Sequence, residues 1–477
     1  MGENTKPEFE KWQGWSVSEI VEDLMGKSFI CPECGKRHTM VTQKLVLRKG
    51  LVDSVGEELE GLEISGKCLV VFDKNTYEIA GERLLESLKK YNPSKFVFMR
   101  DDLHADSAAI GRLLIAMQEP VDFLVSCGSG TITDTVRFTS FMMGKPFVAF
   151  GTAASMDGYA SSSSPIMVDG FKTSYPGRAP LGIFADTEIL ASAPRKMTAA
   201  GFGDVLAKII AVIDWRLAYD VEGEPYCPLI ATLVEKAVYE CTALSDELAK
   251  ADPDACGKLM QVLSLTGIAM QMMGTTRPAS GAEHQISHLL EMKDVRTGKT
   301  GSLHGDKVGI GTLISLYMYY RLFGQFTPSQ SLATSSLSLA MPEQRPIMPT
   351  EKWKSEIRRV YGSIADEAIS RNESEPPQGK KWEDQKLVLQ QSMNTYGIDF
   401  VKTIPLLLPS YKAMIEAMGG PVYPHQLGYT VSETYDAIAH GKEVRPKFTI
   451  LRIAERFGHL YDLADEIAKG LPEGKIY

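Results

Sequence analysis

Between residues 67 and 190, short apolar, β-prone runs alternate with stretches of helical periodicity: KCLVVF, KFVFM, VDFLVS and PFVAF. Strands that read as continuous apolar runs are covered on both faces, and their alternation with helices marks βαβ units and a parallel sheet. Residues 162–190 break the rhythm: SSPIMVD, the turn cluster GFKTSYPGRAP and LGIFAD predict an antiparallel excursion at the sheet's edge. Beyond residue 194 the β signal fades. ATLVEKAVYECTALSDELAK and DKVGIGTLISLYMYYRLF repeat apolar residues at intervals of three and four, so the second half is expected to be helical. At 477 residues the chain exceeds the ~250 to 300 over which a single core grows. The expected division is an α/β domain with an amino-terminal extension at 1–192 and an all-α domain at 193–477. Ligands of open α/β sheets bind at the carboxyl ends of the strands, so the active site is expected in a cleft between the two halves.

Charge and composition remove several function classes. With 51 Lys+Arg against 60 Asp+Glu and no basic block, nucleic acid is excluded as a partner. The amino terminus has no apolar core of a signal peptide, and no run of 18 apolar residues exists to span a membrane. Seven cysteines, an odd number set mostly in apolar segments, fit reduced thiols in a cytoplasmic protein. In CPECGKRH, Cys31, Cys34 and His38 stand at zinc-knuckle spacing. A structural zinc takes four ligands and three are visible, so a turn with free thiols is the alternative reading. The Ser/Pro-rich stretch 325–350 reads as a loop.

VDFLVS runs directly into CGSGTITDTVRFTSF, a buried strand followed by a glycine pair and a helix. Gly128 and Gly130 allow a pyrophosphate to approach the backbone, where the free N–H groups of the helix start face its charge. Thr133 replaces the third glycine of the dinucleotide fingerprint, and tight-turn packing is the competing explanation. The loop after PFVAF, GTAASMDGYASSSS, gathers small hydroxyl residues around Asp157, a lining suited to ribose or amide. Asp73 ends KCLVVF, where a carboxylate accepts from ribose hydroxyls and opposes a 2′-phosphate, which favours NAD over NADP.

Three of the chain's eight histidines fall in GAEHQISHLLEMKDVRTGKTGSLH. His284 and His288 lie four apart and share a helix face, while His304 follows a TGKTG turn and opens the next helix. Two imidazoles from two helices make half of a metal site, and an ion with open positions takes a hard anionic ligand as well. The candidate is Asp204 in AAGFGDVLAKIIAVIDW, expected in the first turn of an apolar helix, where a simple helix cap is the alternative.

Together CGSGTITDTVRF, TAASMDGYAS, AAGFGDVLAKIIAVIDW, RPASGAEHQISHLLEM, LHGDKVGIGT and the tail VRPKFTILRIAERFG resemble sn-glycerol-1-phosphate dehydrogenases, especially the bacterial ones. That family lies within the dehydroquinate synthase and iron-containing alcohol dehydrogenase superfamily. The resemblance implies a Rossmann-like domain followed by a helical one, and Asp204, His284 and His304 as ligands of one divalent ion, zinc or nickel, with His288 a neighbour. It assigns Gly128, Ser129, Gly130, Thr131 and Asp134 to the cofactor turn, and Thr152, Ser155, Asp157 and Ser161 to the nicotinamide side. The implied cofactor is NAD(H) or NADP(H), and a homodimer is implied by analogy. The chain is longer than the family usually is, chiefly over residues 325–395.

The implied reaction is hydride transfer to C2 of dihydroxyacetone phosphate, giving sn-glycerol 1-phosphate. A substrate phosphate needs cations, and Lys208, one turn after Asp204, and Arg277, seven residues before His284, are the candidates, with Asp157 also facing substrate. Exposed helix charges are the bland alternative for that pair. Rival functions are a glycerol or other alcohol dehydrogenase without phosphate selectivity, a lyase of the dehydroquinate synthase type, and a non-catalytic sugar-phosphate sensor.

Overall fold

The computed structural model describes residues 14–100, 103–117, 119–168, 171–299, 301–328, 337–372 and 379–477. Residues 1–13, Thr300 of the TGKTG turn and residues 329–336 of the Ser/Pro-rich stretch lie outside them. The strands used below are β1 (Ser28–Ile30), β2 (Arg37–Thr39), β3 (Lys44–Leu47), β4 (Cys68–Asp73), β5 (Ser94–Phe98), β6 (Phe123–Gly128), β7 (Phe147–Gly151), β8 (Ser163–Val168), β9 (Phe171–Pro176) and β10 (Gly182–Ala185). The helices are α1 (Val17–Leu24), α2 (Gly130–Met143), α3 (Arg195–Leu206), α4 (Lys208–Glu222), α5 (Pro228–Thr242), α6 (Pro253–Met273), α7 (Ala282–Thr297), α8 (His304–Phe323) and α9 (Ile450–Arg456). The chain forms two compact units: residues 1–205, 227–279 and 298–300, and residues 206–226, 280–297 and 301–477.

The first unit is built on a six-stranded sheet of order β3-β10-β7-β6-β4-β5, with every neighbouring pair parallel. Alternate residues of the central strands, Val70, Phe72, Phe123, Val125, Cys127, Val148, Phe150 and Phe184, pack with Leu51, Val52, Leu84 and Leu88 into one core. Their sequence neighbours Leu69, Val71, Leu124, Phe147, Ala149 and Ile183 are also buried, so both sheet faces are covered. Residues 163–176 do form an antiparallel hairpin, β8 with β9. LGIFAD departs from expectation: β10 is a parallel strand between β3 and β7, fully buried, because its four residues complete the sheet rather than the hairpin.

The chain leaves β4 toward β5 on one side and β6 toward β7 on the other, so β4 and β6 flank the point where strand order reverses. Ligands of doubly wound sheets bind at the carboxyl ends of such strands. Asp73 and the Ser129–Gly130 turn are the residues placed there.

The second unit is helical; the exception among its described residues is a short antiparallel pair, Phe326–Pro328 with Leu337–Leu339, inside the stretch expected to be loop. Its centre is Asp214 of α4, fully buried. Asp214 Oδ2 accepts the Ala282 N–H at 2.8 Å, and Oδ1 accepts the Ile450 N–H at 2.8 Å and the Tyr319 hydroxyl at 2.6 Å. One carboxylate thus satisfies the first N–H of α7 and of α9, where the helix dipoles favour negative charge, and pins α8 as well. No helix among the described residues is long and apolar enough to cross a membrane.

Candidate active site

In the first unit, β6 passes through Ser129 into α2. A Cβ on Gly128 would lie 2.8 Å from Ile132 Cβ, so glycine there is required by the tight return of the helix. Gly130 is different, since a Cβ would make only ordinary contacts of 3.5–3.9 Å with Met156. Packing explains the first glycine and leaves the second available for close approach to a phosphate. Thr131 follows on the helix and accepts the Thr135 hydroxyl on its carbonyl at 2.8 Å. Asp73 Oδ1 accepts the Thr76 N–H at 2.8 Å, capping the short helix after β4.

The loop after β7 is buried rather than a polar surface loop: Thr152, Ser155, Asp157 and Ser161 are each less than a tenth exposed. Tyr159, fully buried, donates to the Ala153 carbonyl at 2.8 Å, and the Ser161 hydroxyl donates to the Ser163 carbonyl at 3.0 Å. The Asp157 N–H donates to Asp204 Oδ2 at 2.9 Å. Asp204 does not stand in a first turn and is not a cap: it lies near the end of α3, which begins at Arg195 and runs through both glycines. The reason is Gly201, whose Cβ would sit 2.0 Å from the Ala154 carbonyl oxygen. Gly201, one of the two glycines that looked like a helix start, lets α3 press onto the 152–161 loop.

Arg137, one turn beyond Asp134 on α2, is fully buried and binds the Asp134 carboxylate and the Gly158 carbonyl, with a third bond to the Tyr159 carbonyl at 3.0 Å. The Asp134 carboxylate therefore holds a structural cation. Arg277 is 5% exposed, so it is not a surface helix charge.

In the second unit, the rings of His284 and His288 on α7 and of His304 at the first position of α8 converge. Centroids are 5.3 Å apart for His284 and His304, and 5.8 Å for each of the other two pairs. His284 Nδ1 lies 2.8 Å from Glu283 Oε1, and His304 Nδ1 lies 2.6 Å from Glu291 Oε1. A carboxylate at Nδ1 fixes the tautomer that leaves Nε2 as a lone-pair donor, the arrangement typical of metal-ligating histidine. Burial, followed by the positive charge of Lys208 and the neighbouring imidazoles, holds His284 well below the usual histidine range. Its ring is neutral, as a ligand must be. His288, Glu291 and His304 also bring donor atoms within 4.8 Å of one another, so His288 stands next to the pair. Lys208, at the start of α4, is fully buried.

Residues 46–194 match the iron-containing alcohol dehydrogenase family. Over 436 residues the chain is 30% identical to the glycerol-1-phosphate dehydrogenase (NAD(P)+) of Bacillus licheniformis, covering 90% of this chain and 92% of that one. The chain belongs to the glycerol-1-phosphate dehydrogenase family. It is 37% identical over 372 residues to the enzyme of that name from Geobacillus stearothermophilus, covering 74% of this chain and 91% of the relative. The fold is shared with a probable glycerol dehydrogenase from Sinorhizobium meliloti, at a TM-score of 0.57 and 15% identity over 89% of this chain and 98% of the other.

For a member of this family, the residues that sequence reasoning missed are the supporting ones. Glu283 adjoins His284, and Glu291 is seven residues beyond it, on the face that His288 shares at the fourth residue. That periodicity was a signal for Glu291. Nothing in the local sequence distinguishes Arg137 from a solvated helix charge.

Proposed function

We propose that this member of the glycerol-1-phosphate dehydrogenase family reduces dihydroxyacetone phosphate to sn-glycerol 1-phosphate, with NAD(P)H as hydride donor and a divalent ion, zinc or nickel, held by Asp204, His284 and His304. The observation that carries this reading is the pair of imidazoles whose Nδ1 atoms are tied to carboxylates, leaving two Nε2 donors on facing rings. Asp204, buried in α3, adds the hard anionic donor that such a nitrogen pair calls for. Three protein ligands leave positions for a substrate oxygen, as in other sites of metal-assisted catalysis.

A divalent ion there supplies Lewis-acid polarisation of the C2 carbonyl, and the reduced nicotinamide supplies the hydride. The chain's own part is positioning. Glu283 and Glu291 keep a proton on Nδ1 of each ring and hold ring orientation. The Asp157 N–H fixes one oxygen of Asp204. Gly128, Ser129, Gly130 and Thr131 present the start of α2 to the pyrophosphate, with Asp134 steadied by Arg137 and Asp73 directed to the adenine ribose. Thr152, Ser155, Asp157 and Ser161 line the nicotinamide side. In this reading residues 1–192 bind the dinucleotide and 193–477 carry metal and substrate groups.

Lys208 and Arg277 are assigned to the substrate phosphate. Both side chains are buried rather than solvated surface charges, and a lysine offers phosphate a point charge and an arginine a bidentate grip. The reading also takes the protein as a cytoplasmic homodimer; all seven cysteines are free thiols, in keeping with a reducing compartment. Light scattering after size exclusion tests the dimer.

The deciding assay compares NADH or NADPH oxidation with dihydroxyacetone phosphate and dihydroxyacetone, and NAD(P)+ reduction with glycerol, in metal-stripped protein and after restoring zinc or nickel. Turnover confined to the phosphorylated ketone, and dependent on the metal, is expected. Equal rates with dihydroxyacetone would replace the proposal with an unselective alcohol dehydrogenase. Arg277→Ala should raise KM for dihydroxyacetone phosphate far more than for dihydroxyacetone, and equal effects on both would take Arg277 out of the phosphate site.

A further inference from the structure

The knuckle sequence CPECGKRH, which showed only three ligands, acquires a fourth in the fold. Cys31 follows β1, Cys34 lies in the turn and His38 is in β2, paired across the hairpin with Phe29. Gly35 closes the turn at φ +69°, donating its N–H to the Cys31 carbonyl at 2.9 Å. Cys227, 189 residues beyond His38, comes to the same place at the residue before α5, within the same unit. Cys31, His38 and Cys227 are at most 1% exposed and Cys34 is half-buried. One donor atom from each of the four lies within 4.8 Å of every other.

Three of the six pair distances lie close to those of a coordination tetrahedron. With Zn–S about 2.3 Å and Zn–N about 2.0–2.1 Å, tetrahedral geometry puts two sulfurs about 3.8 Å apart and sulfur and nitrogen about 3.6 Å apart. Cys31 Sγ is 3.7 Å from Cys227 Sγ, and His38 Nε2 is 3.3 Å from Cys34 Sγ and 3.4 Å from Cys227 Sγ. The first of these is far beyond the S–S length of about 2.05 Å in a disulfide. His38 Nδ1 lies 2.8 Å from the Met272 carbonyl, so it carries the proton and Nε2 presents its lone pair to the three sulfurs.

We propose that Cys31, Cys34, His38 and Cys227 bind one structural zinc ion, which ties the amino-terminal β1–β2 hairpin to the start of α5. Binding displaces three thiol protons to solvent and leaves a closed Cys3His shell with no position for substrate. Three soft thiolates select zinc over hard cations. The proposal does not depend on the histidine site of α7 and α8, and its readouts are metal content and ligand type rather than turnover.

The test uses the full-length protein grown with zinc and dialysed against a mild chelator. One zinc per chain should remain, with a zinc K-edge absorption spectrum fitted by three sulfurs at about 2.3 Å and one nitrogen at about 2.0–2.1 Å. Cys227→Ser and Cys34→Ser should each lose that equivalent, whereas Cys241→Ser, buried but outside the cluster, should keep it. Should Cys227→Ser fail to fold, the spectrum of the wild-type protein still decides. Retained zinc without sulfur ligands, no retained zinc, or a Cys31–Cys227 disulfide found by thiol trapping and mass spectrometry would each overturn the site.

Discussion

At Gly311 of α8 the two histidine-bearing helices approach too closely to admit a side chain, and replacing it by alanine tests whether that approach sets the site. A Cβ at Gly311 would lie 2.5 Å from the Glu283 carbonyl oxygen and 3.1 Å from its Cα and carbonyl carbon. Ordinary contact begins at 3.4 Å, so about 0.9 Å of relief is needed, and backbone rather than a movable side chain stands in the way. Helices α7 and α8 must therefore separate beside His284. Overpacking of this kind costs about 1–3 kcal/mol, toward the upper end where backbone must move. Alanine's better helix propensity returns about 1 kcal/mol. The net loss of about 2 kcal/mol lowers the melting point of a unit this size by about 4–8 °C. A displacement near 1 Å between reacting groups costs on the order of 100-fold in rate. Gly311→Ala should therefore melt lower and lose most of its kcat/KM with the phosphorylated ketone. Gly111→Ala is the control: it also lies within a helix, Ser107–Ala116, but its Cβ meets no atom within 4 Å. If Gly311→Ala melts at or above the wild-type temperature with unchanged kcat/KM, the close-packing account of the site is wrong.

Glu291→Gln keeps the size of the side chain but removes the charge that orients His304; metal affinity should fall about 10- to 100-fold, read by competition with a chromogenic chelator, and unchanged affinity would mean that Glu291 does not orient a ligand. Arg137→Met takes a cation from the half-buried Asp134 and a donor from the Tyr159 carbonyl, so the first unit should lose about 1–3 kcal/mol. Its KM for NAD(P)H should rise more than its KM for ketone; a matched rise in both would detach Arg137 from the cofactor loop. His440 is fully buried, and among the described residues neither ring nitrogen has a hydrogen-bond partner. Burial, then the Lys442 charge, holds its pKa at about 3 against 6.5. The unfolded chain binds the proton first, so stability from neutral His440 is complete above pH 6.5 and drains away as pH falls toward 3. Between pH 6.5 and 5 the loss is on the order of 2 kcal/mol, and His440→Leu should flatten that part of the urea-midpoint profile; an identical acid limb in wild type and variant would show that His440 is not what titrates.

The parts of the fold legible in the sequence were those fixed by short-range pattern. β4, β6 and β7 are covered on both faces, so each appears as an unbroken apolar run, and the glycine turn after β6 follows from its place between a strand and a helix. β3 gave no such signal, because its four residues are only half-buried at the sheet edge. β10 was misread because the hairpin before it broke the alternation, and whether a strand then rejoins a sheet depends on distant partners. The placing of Asp204 failed for a related reason. Two glycines among small residues read as a helix boundary, whereas Gly201 is demanded by the Ala154 carbonyl, 47 residues away in sequence. His284, His288 and His304 could be grouped because helical spacing is local. Cys227 could not be grouped with Cys31, Cys34 and His38, since only the folded unit brings it there.

The two proposed metal sites differ in a way that ligand chemistry alone determines. Cys31, Cys34, His38 and Cys227 offer four donors, three of them soft, which fill a tetrahedron and leave nothing for a substrate to occupy. Asp204, His284 and His304 offer one oxygen and two nitrogens, which suit zinc or nickel and leave coordination positions open. The carboxylates behind the two imidazoles have a matching logic: a ligand that must hold its angle while substrate comes and goes benefits from a fixed tautomer and orientation. His38 is held instead by a neutral carbonyl, Met272, which fixes the tautomer without adding negative charge next to three thiolates. The open set is thus paired with charged support that raises ligand basicity, and the closed set with neutral support. In the proposed reading, opposite local charge requirements give reaction to the histidines on α7 and α8 and chain-tying to the amino-terminal hairpin.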